Sequence, residues 1–210
     1  MTSGRETAEV ALKPALAARG WNPRASGRFT KEIRPGITAV IAVSAACKHH
    51  APGSASVTMM VGLRDDATEE IVERLSGSWT PRYMGRTWVT PLGYLLSEHD
   101  YLDGERVFNE GNAVTHAEEL ADLLVHQVEP RLRRIADDAS EFTALAERST
   151  CSMGPDGLCR IATMLARTQG PEVASTYVAD RLTSLGQRTD PAADLERGMA
   201  ARVMAALTAE

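Results

Sequence analysis

Residues 28–46 read RFTKEIRPGITAVIAVSAA, and this stretch predicts a β-hairpin. In its first half, apolar and polar residues alternate with the two-residue period of a half-buried strand, and Lys31 on the apolar side favours the edge of a sheet. Pro35-Gly36 is a turn signal. The second half, residues 37–46, is apolar almost throughout, which is typical of a central strand. We therefore predict two antiparallel strands joined by a tight turn.

Further strands are predicted on both sides of the hairpin. Residues 22–27 have the composition of a turn-rich loop, and residues 56–63 alternate like a third strand. Residues 84–96 contain β-branched and aromatic side chains together with Pro91, so we predict a strand that is bulged or broken at the proline. A short last strand is predicted over residues 105–109.

Helical periodicity covers much of the remaining chain. A first helix is predicted over residues 6–19, and Val10 is one of its apolar positions. A second helix is predicted over residues 66–75, because Asp66 and Glu69 have the spacing of a capping box at its start.

The longest apolar stripe runs from Ala117 to Ile135 at three- and four-residue spacing. Residues 115–118 have the form of a capping box, so this helix is predicted to begin at Thr115. Pro130 is expected to kink the helix or to split it in two, because proline has no N–H to donate. Helical patterns follow over residues 141–148, 158–168, 171–185 and 191–207, with a linker over residues 149–157.

This order of elements predicts the α+β class. We expect an antiparallel sheet of four to five strands with helices packed on one face, and an all-helical C-terminal extension. The predicted domains are residues 1–150 for the α+β part and residues 151–210 for the extension, which would pack on it.

Composition excludes several classes of protein. The chain has 210 residues, of which 43% are hydrophobic and 24% charged, so it is neither disordered nor collagen-like. No apolar run reaches the roughly 18–20 residues that span a bilayer, and the polar start is unlike a signal peptide. We therefore expect a cytoplasmic protein that does not bind a membrane. Arg exceeds Lys by 20 to 3, a bias typical of a high-GC bacterial genome.

Charge is distributed unevenly along the chain. Residues 1–60 carry a net charge of +5, residues 61–150 carry −9, and residues 151–210 carry −1. The two charged parts could attract each other within the fold, or one of them could face a partner of opposite charge. A pI of 5.6 disfavours nucleic acid as that partner, whereas the acidic middle permits a basic protein.

An aromatic and arginine-rich region around residues 79–110 is the predicted binding surface, because Trp, Tyr and Arg are the side chains that most often anchor interfaces. Its candidate binding residues are Trp79, Arg82, Tyr83, Arg86, His99, Asp100 and Tyr101. Alternatively, His99 and Asp100 could form the acid/base pair of a small enzyme. No Gly-x-Ser-x-Gly elbow or catalytic-cysteine motif accompanies them, so a non-enzymatic role is favoured.

A metal site at Cys47, His49 and His50 is a second alternative, although the chain has no CxxC pair. The simpler interpretation is that these are solvated loop residues and that all three cysteines of the chain are free thiols. His116 and His126 are expected to be exposed on their helix. No cofactor is predicted.

The arrangement of the first helix, the hairpin, residues 87–96 and the long helix before Phe142 resembles an actinobacterial domain-of-unknown-function family. That family is related to immunity proteins of polymorphic toxin systems. The resemblance covers residues 6–148 and implies an α+β fold without established catalytic residues. Together with the acidic middle of the chain, our hypothesis is an immunity-like, protein-binding module whose partner is another protein, with the oligomeric state left open.

Overall fold

The computed structural model describes residues 3–78, 80–81, 83–97, 100 and 102–209. They form an α+β fold with an antiparallel sheet, which confirms the predicted class. The strands are β1 (Asn22–Arg24), β2 (Arg28–Arg34), β3 (Ile37–Ala46), β4 (Ala55–Asp65), β5 (Trp88–Pro91) and β6 (Arg106–Phe108). Their order in the sheet is β1-β2-β3-β4-β5, and β6 pairs with β4.

The predicted hairpin is confirmed in both of its strands. Phe29 pairs with Ile41, and both side chains are buried, while Lys31 pairs with Ala39. Gly36 closes the turn with a φ of 77°, a left-handed conformation that glycine adopts without a steric penalty.

The prediction that β2 lies at the sheet edge is wrong. Asn22–Arg24, within the predicted loop, form β1 and pair antiparallel with β2. Lys31 does not need an edge position, because its ammonium group forms an ion pair with Glu129.

The helices are α1 (Gly4–Ala17), α2 (Asp66–Ser76), α3 (Leu92–Leu96), α4 (Ala113–Leu123), α5 (Glu129–Asp137), α6 (Ala139–Arg148), α7 (Gly154–Gln169), α8 (Pro171–Leu185) and α9 (Pro191–Leu207). A π-helical turn, Leu124–Val128, joins α4 to α5, and a 3-10 turn, Thr150–Ser152, follows α6. Most of the predicted linker at residues 149–157 is therefore helical. Within the described ranges, no helix combines the length and apolar character needed to cross a membrane.

Residues 92–96 form helix α3 and not the second half of a strand. Pro91 occupies the N-cap position with φ −57° and ψ 143°, an extended conformation from which the chain turns directly into the helix. Leu92 and Leu95 are buried three residues apart, which is the helical spacing. The predicted break at the proline is therefore a change from strand to helix.

The predicted capping box at residues 115–118 does not start the long helix. The helix begins two residues earlier, at Ala113, after Asn112. The Asn112 side chain accepts a hydrogen bond from the Asn109 N–H and donates one to the Val107 carbonyl, so it organises the turn after β6. Pro130 does not separate two helices: the chain stays helical from α4 through the π-helical turn into α5, and the proline is the second residue of α5.

Helix α2 is capped one residue earlier than predicted. The Asp65 carboxylate accepts a hydrogen bond from the Ala67 N–H, which leaves Asp66 inside the first turn. Glu69 consequently does not act in a capping box; it is buried, with 3% of its surface exposed.

The chain forms two compact units. Unit 1 comprises Met1–Leu63 and Val89–Asp137, and unit 2 comprises Arg64–Trp88 and Asp138–Glu210. Leu12, Phe29 and Leu120 belong to the buried core of unit 1. In unit 2, a buried cluster joins α2 to the C-terminal helices; its members include Val72, Leu158, Val178, Met199 and Val203. The domain boundary predicted at residue 150 remains a prediction.

Candidate functional site

The structure describes only three of the seven residues predicted for the aromatic and arginine-rich surface. Trp79, Arg82, His99 and Tyr101 lie outside the described residues. Tyr83 and Arg86 are half-buried and belong to unit 2, whereas Asp100 is exposed and belongs to unit 1.

The Asp100 carboxylate takes part in a local turn. Its Oδ1 atom accepts a hydrogen bond from the Leu102 N–H at 2.9 Å, a common arrangement of aspartate in loops. The described part of the proposed acid/base pair is therefore an exposed turn carboxylate, which offers catalysis little support.

The alternative metal ligands are not grouped. Cys47 and His49 are exposed, and His50 is half-buried in the loop after β3. In the part of the chain that the structure describes, no three His, Cys, Asp or Glu side chains are placed to hold a metal ion, so Cys47, His49 and His50 do not form such a group.

The two helical histidines differ in their surroundings. His126 is exposed as predicted, but His116 is half-buried and its ring meets the ring of Phe108 edge-on, with the centroids 5.7 Å apart. The prediction of an exposed His116 is therefore wrong. The reason is that β6 ends beside the start of α4 and brings Phe108 against this helix face.

Two of the described cysteines, Cys151 and Cys159, have thiols whose pKa is raised. Burial raises the pKa of the Cys159 thiol to about 11, and burial also raises the pKa of Cys151, against the opposing effect of nearby Arg160. The nucleophilic form of cysteine is the thiolate, so neither residue has the lowered pKa of a catalytic cysteine. Cys47 is exposed.

A buried ionic network in unit 2 was not predicted. The Arg160 guanidinium donates to both carboxylate oxygens of Glu69, at 2.6 and 2.9 Å, and the Thr87 hydroxyl donates to the same carboxylate at 2.8 Å. Arg167 forms a similar bridge from α7 to Asp65. These contacts tie α2 to α7.

Arg64 is a buried cation in the same region, with 1% of its surface exposed. It donates to Asp66 at 2.8 Å and to Glu73 at 3.4 Å. Its guanidinium lies directly against Gly85, where a Cβ atom would be only 2.2 Å from Nη1. We assign a structural role to this network, since its carboxylates are matched by guanidinium groups within the same unit.

A second buried pair stabilises unit 1. The Lys31 ammonium lies 2.7 Å from the Glu129 carboxylate, which also accepts a hydrogen bond from the Trp21 indole at 3.0 Å. Lys31 donates in addition to the Arg19 carbonyl at 2.9 Å. The cluster links the hairpin, the chain after α1, and α5.

An open groove between α1 and α4, hereafter the α1–α4 groove, exposes apolar side chains of unit 1. Its volume is about 600 Å³. Val10 and Val114 are 68% and 72% exposed, although both are aliphatic. The lining residues are Thr7, Val10, Ala11, Pro14, Glu110, Ala113, Val114 and Glu118.

The groove has small residues at its floor and valines at its sides. Ala113 is buried and Ala11 is half-buried, whereas Val10 and Val114 project into solvent. Helices α1 and α4 contact each other and bury further alanines, among them Ala8. On the other side of Val10 lies a smaller pocket of about 290 Å³, bounded by α1 and the β1–β2 turn.

The exposure of Val10 corrects its sequence assignment as an apolar core position. Ala8 and Leu12 are the buried residues of this helix face, and Val10 lies two residues from each, or roughly 200° around the helix axis. This angular offset is the signal from which an exposed valine could have been recognised. The packing of α4 beside Val10 could not be predicted from the local sequence pattern.

Comparison with known proteins gives no relative. No protein-family model matches the chain, and neither a curated protein nor a solved structure shows significant similarity to it. Function is therefore inferred from the chain's own side chains.

Proposed function

We propose that this chain is a non-enzymatic, immunity-like module that binds a basic protein through the α1–α4 groove. The observation that carries the proposal is the exposure of Val10 and Val114 on two adjoining helices. Burying an aliphatic side chain is worth about 1.5–3 kcal/mol, so leaving two exposed in one groove favours a surface that is covered by a partner.

The charge of the groove supports a basic partner. Its lining contains the carboxylates of Glu110 and Glu118 and, among the described residues, no basic side chain. The Glu118 carboxylate forms an ion pair with Arg19 at 2.7 Å, yet half of the Glu118 side chain is exposed. Apolar contact would supply affinity, while the carboxylates would attract and orient a cationic surface.

The enzyme alternative has weaker support. It requires His99 and Asp100 to line a concave polar site, whereas the Asp100 carboxylate is exposed and bonded to the Leu102 N–H.

The proposal is tested by comparing the wild-type chain with Val114→Lys and with Leu195→Lys. Leu195 is a matched control, because it is an exposed aliphatic residue, 64% accessible, on α9 of the other unit. Each of the three proteins would be immobilised and incubated with a bacterial extract. A protein that the wild type retains would then be purified, and its affinity for the wild type and for both variants would be measured by titration.

We expect binding that weakens about tenfold or more in Val114→Lys, remains unchanged in Leu195→Lys, and weakens with added salt. Equal binding by all three proteins, or retention of no partner, overturns the proposal. Sedimentation of the wild-type chain is the further check, since self-association abolished by Val114→Lys would show that the groove is instead covered by a second copy.

A further inference from the structure

We infer that the α1–α4 groove accepts a single amphipathic α-helix of the partner, with basic residues flanking an apolar stripe. This inference rests on the proposed function and specifies the shape and chemistry of the partner segment.

The backbone around the groove argues against an extended peptide. Its lining residues come from α1 and α4, apart from Glu110, which precedes α4. Backbone groups inside helices are already hydrogen-bonded, so the groove presents no strand edge with which an extended segment could pair. An extended segment would lose hydrogen bonds to water without replacing them. The backbone of a helix is hydrogen-bonded internally, so a helical segment can enter the groove without losing backbone hydrogen bonds.

The dimensions of the groove match two turns of helix. At the rise of an α-helix, Thr7 to Pro14 on α1 covers roughly 10 Å, and the five steps from Ala113 to Glu118 on α4 cover roughly 7.5 Å. Two turns of a partner helix would present apolar side chains at positions i, i+3 or i+4, and i+7. The alanine floor allows the helix axis to approach closely, and the two valines would pack on its sides.

The polar groups of the groove define where the partner carries charge. Glu110 and Glu118 both line it on the α4 side, and Glu110 has no ion pair among the described residues. Basic side chains on the partner helix that flank its apolar stripe would face these carboxylates.

Two synthetic peptides of identical composition test the inference. Both contain leucine, alanine and lysine, with leucines at helical spacing and lysines on either side. One contains only L-residues, and the other has D-residues at intervals, which prevent a continuous helix. Binding of each labelled peptide to the full chain would be measured by fluorescence anisotropy. The proteins would be the wild type, Val114→Asn, Glu110→Gln and the control Leu195→Asn.

We expect the all-L peptide to bind the wild type at least about tenfold more tightly than the D-containing peptide. Val114→Asn and Glu110→Gln should each weaken the all-L peptide severalfold, whereas Leu195→Asn should not. Equal affinity of the wild type for the two peptides overturns the inference, and so does an all-L peptide that binds Val114→Asn as tightly as the wild type.

The two proposals fail in different ways. If the chain binds both peptides equally but its affinity for the natural partner still depends on Val114, the groove binds a protein segment in another conformation. In that case only the helix inference is wrong. If the natural partner binds the Val114 variant as tightly as the wild type, the proposed function itself is wrong.

Discussion

The ammonium group of Lys31 and the carboxylate of Glu129 are 2.7 Å apart, although 98 residues separate them in the chain. Glu129 is almost completely buried, so its charge is stable there only while Lys31 and the Trp21 indole contact it. Replacing Lys31 by alanine would leave the carboxylate without its cation.

We expect Lys31→Ala to lower the free energy of unfolding by about 3 kcal/mol, the lower end for a buried pair, since a fifth of the Lys31 side chain is exposed. Urea denaturation followed by circular dichroism measures this difference. The double variant Lys31→Met/Glu129→Leu should recover much of the loss, because it removes both charges. A single variant as stable as the wild type would show that the pair is unimportant.

Gly85 is predicted to be intolerant of a side chain. Because an added Cβ would lie 2.2 Å from Nη1 of the enclosed Arg64, Gly85→Ala should lower the unfolding free energy by about 1–3 kcal/mol. Gly198→Ala is the control, since it lies within α9, where alanine is expected to stabilise the helix by up to about 1 kcal/mol. Thermal denaturation should move in opposite directions for the two variants. A stable Gly85→Ala protein would contradict the placement of Arg64.

The buried thiol of Cys159 predicts a loss of stability at alkaline pH. Burial raises its pKa in the folded protein to about 11, above the ordinary thiol value of 9.0, so folded protein keeps the proton to a higher pH than unfolded protein does. The associated stabilisation is complete below pH 9 and is lost as pH rises to about 11, by up to about 3 kcal/mol. Unfolding measured across this range should show a shallower decline in Cys159→Ala. Identical pH profiles for the two proteins would contradict the prediction.

The exposed valines should matter for binding but not for folding. Val114→Lys is expected to change the unfolding free energy by less than about 1 kcal/mol, because the Val114 side chain is largely in solvent and the unfavourable helix dipole acting on the lysine is opposed by the carboxylates of Glu110 and Glu118 in the same groove. Chemical denaturation of the free protein measures this effect. Extensive unfolding of the variant would mean that Val114 belongs to the core, and would remove the basis for a docking groove.

The elements that the sequence predicted correctly have strong local signals. The hairpin is marked by alternation and by Pro35-Gly36, and α8 starts directly after Gly170. Helix α9 starts after Asp190, whose carboxylate accepts a hydrogen bond from the Ala193 N–H. In each case a few neighbouring residues suffice to set the backbone conformation.

The elements that were wrong depend on competing interactions. Thr115 has the residues of a capping box, but Asn112 stabilises the preceding turn through Asn109 and Val107, so the helix starts earlier. Glu69 likewise has capping-box spacing, but it is recruited by Arg160, 91 residues away. A pattern within four residues contains no information on a partner at that distance.

The candidate site was predictable only in part. The acidic character of the middle of the chain is evident from the sequence, and two of its carboxylates, Glu110 and Glu118, line the groove. The offset of Val10 from the core stripe could also have been recognised. That Val10 and Val114 share one surface depends on the contact between α1 and α4, which are nearly a hundred residues apart.

The chain passes between its two units three times, after Leu63, after Trp88 and after Asp137. Neither unit is therefore a continuous stretch that could be excised at one cut. During synthesis, the hairpin leaves the ribosome well before α4 and α5, which complete unit 1, and α2 of unit 2 emerges in between. A nascent chain that ends near residue 100 would hold an unfinished sheet and an isolated helix, so neither unit can complete its folding before the segments beyond that residue have been synthesised.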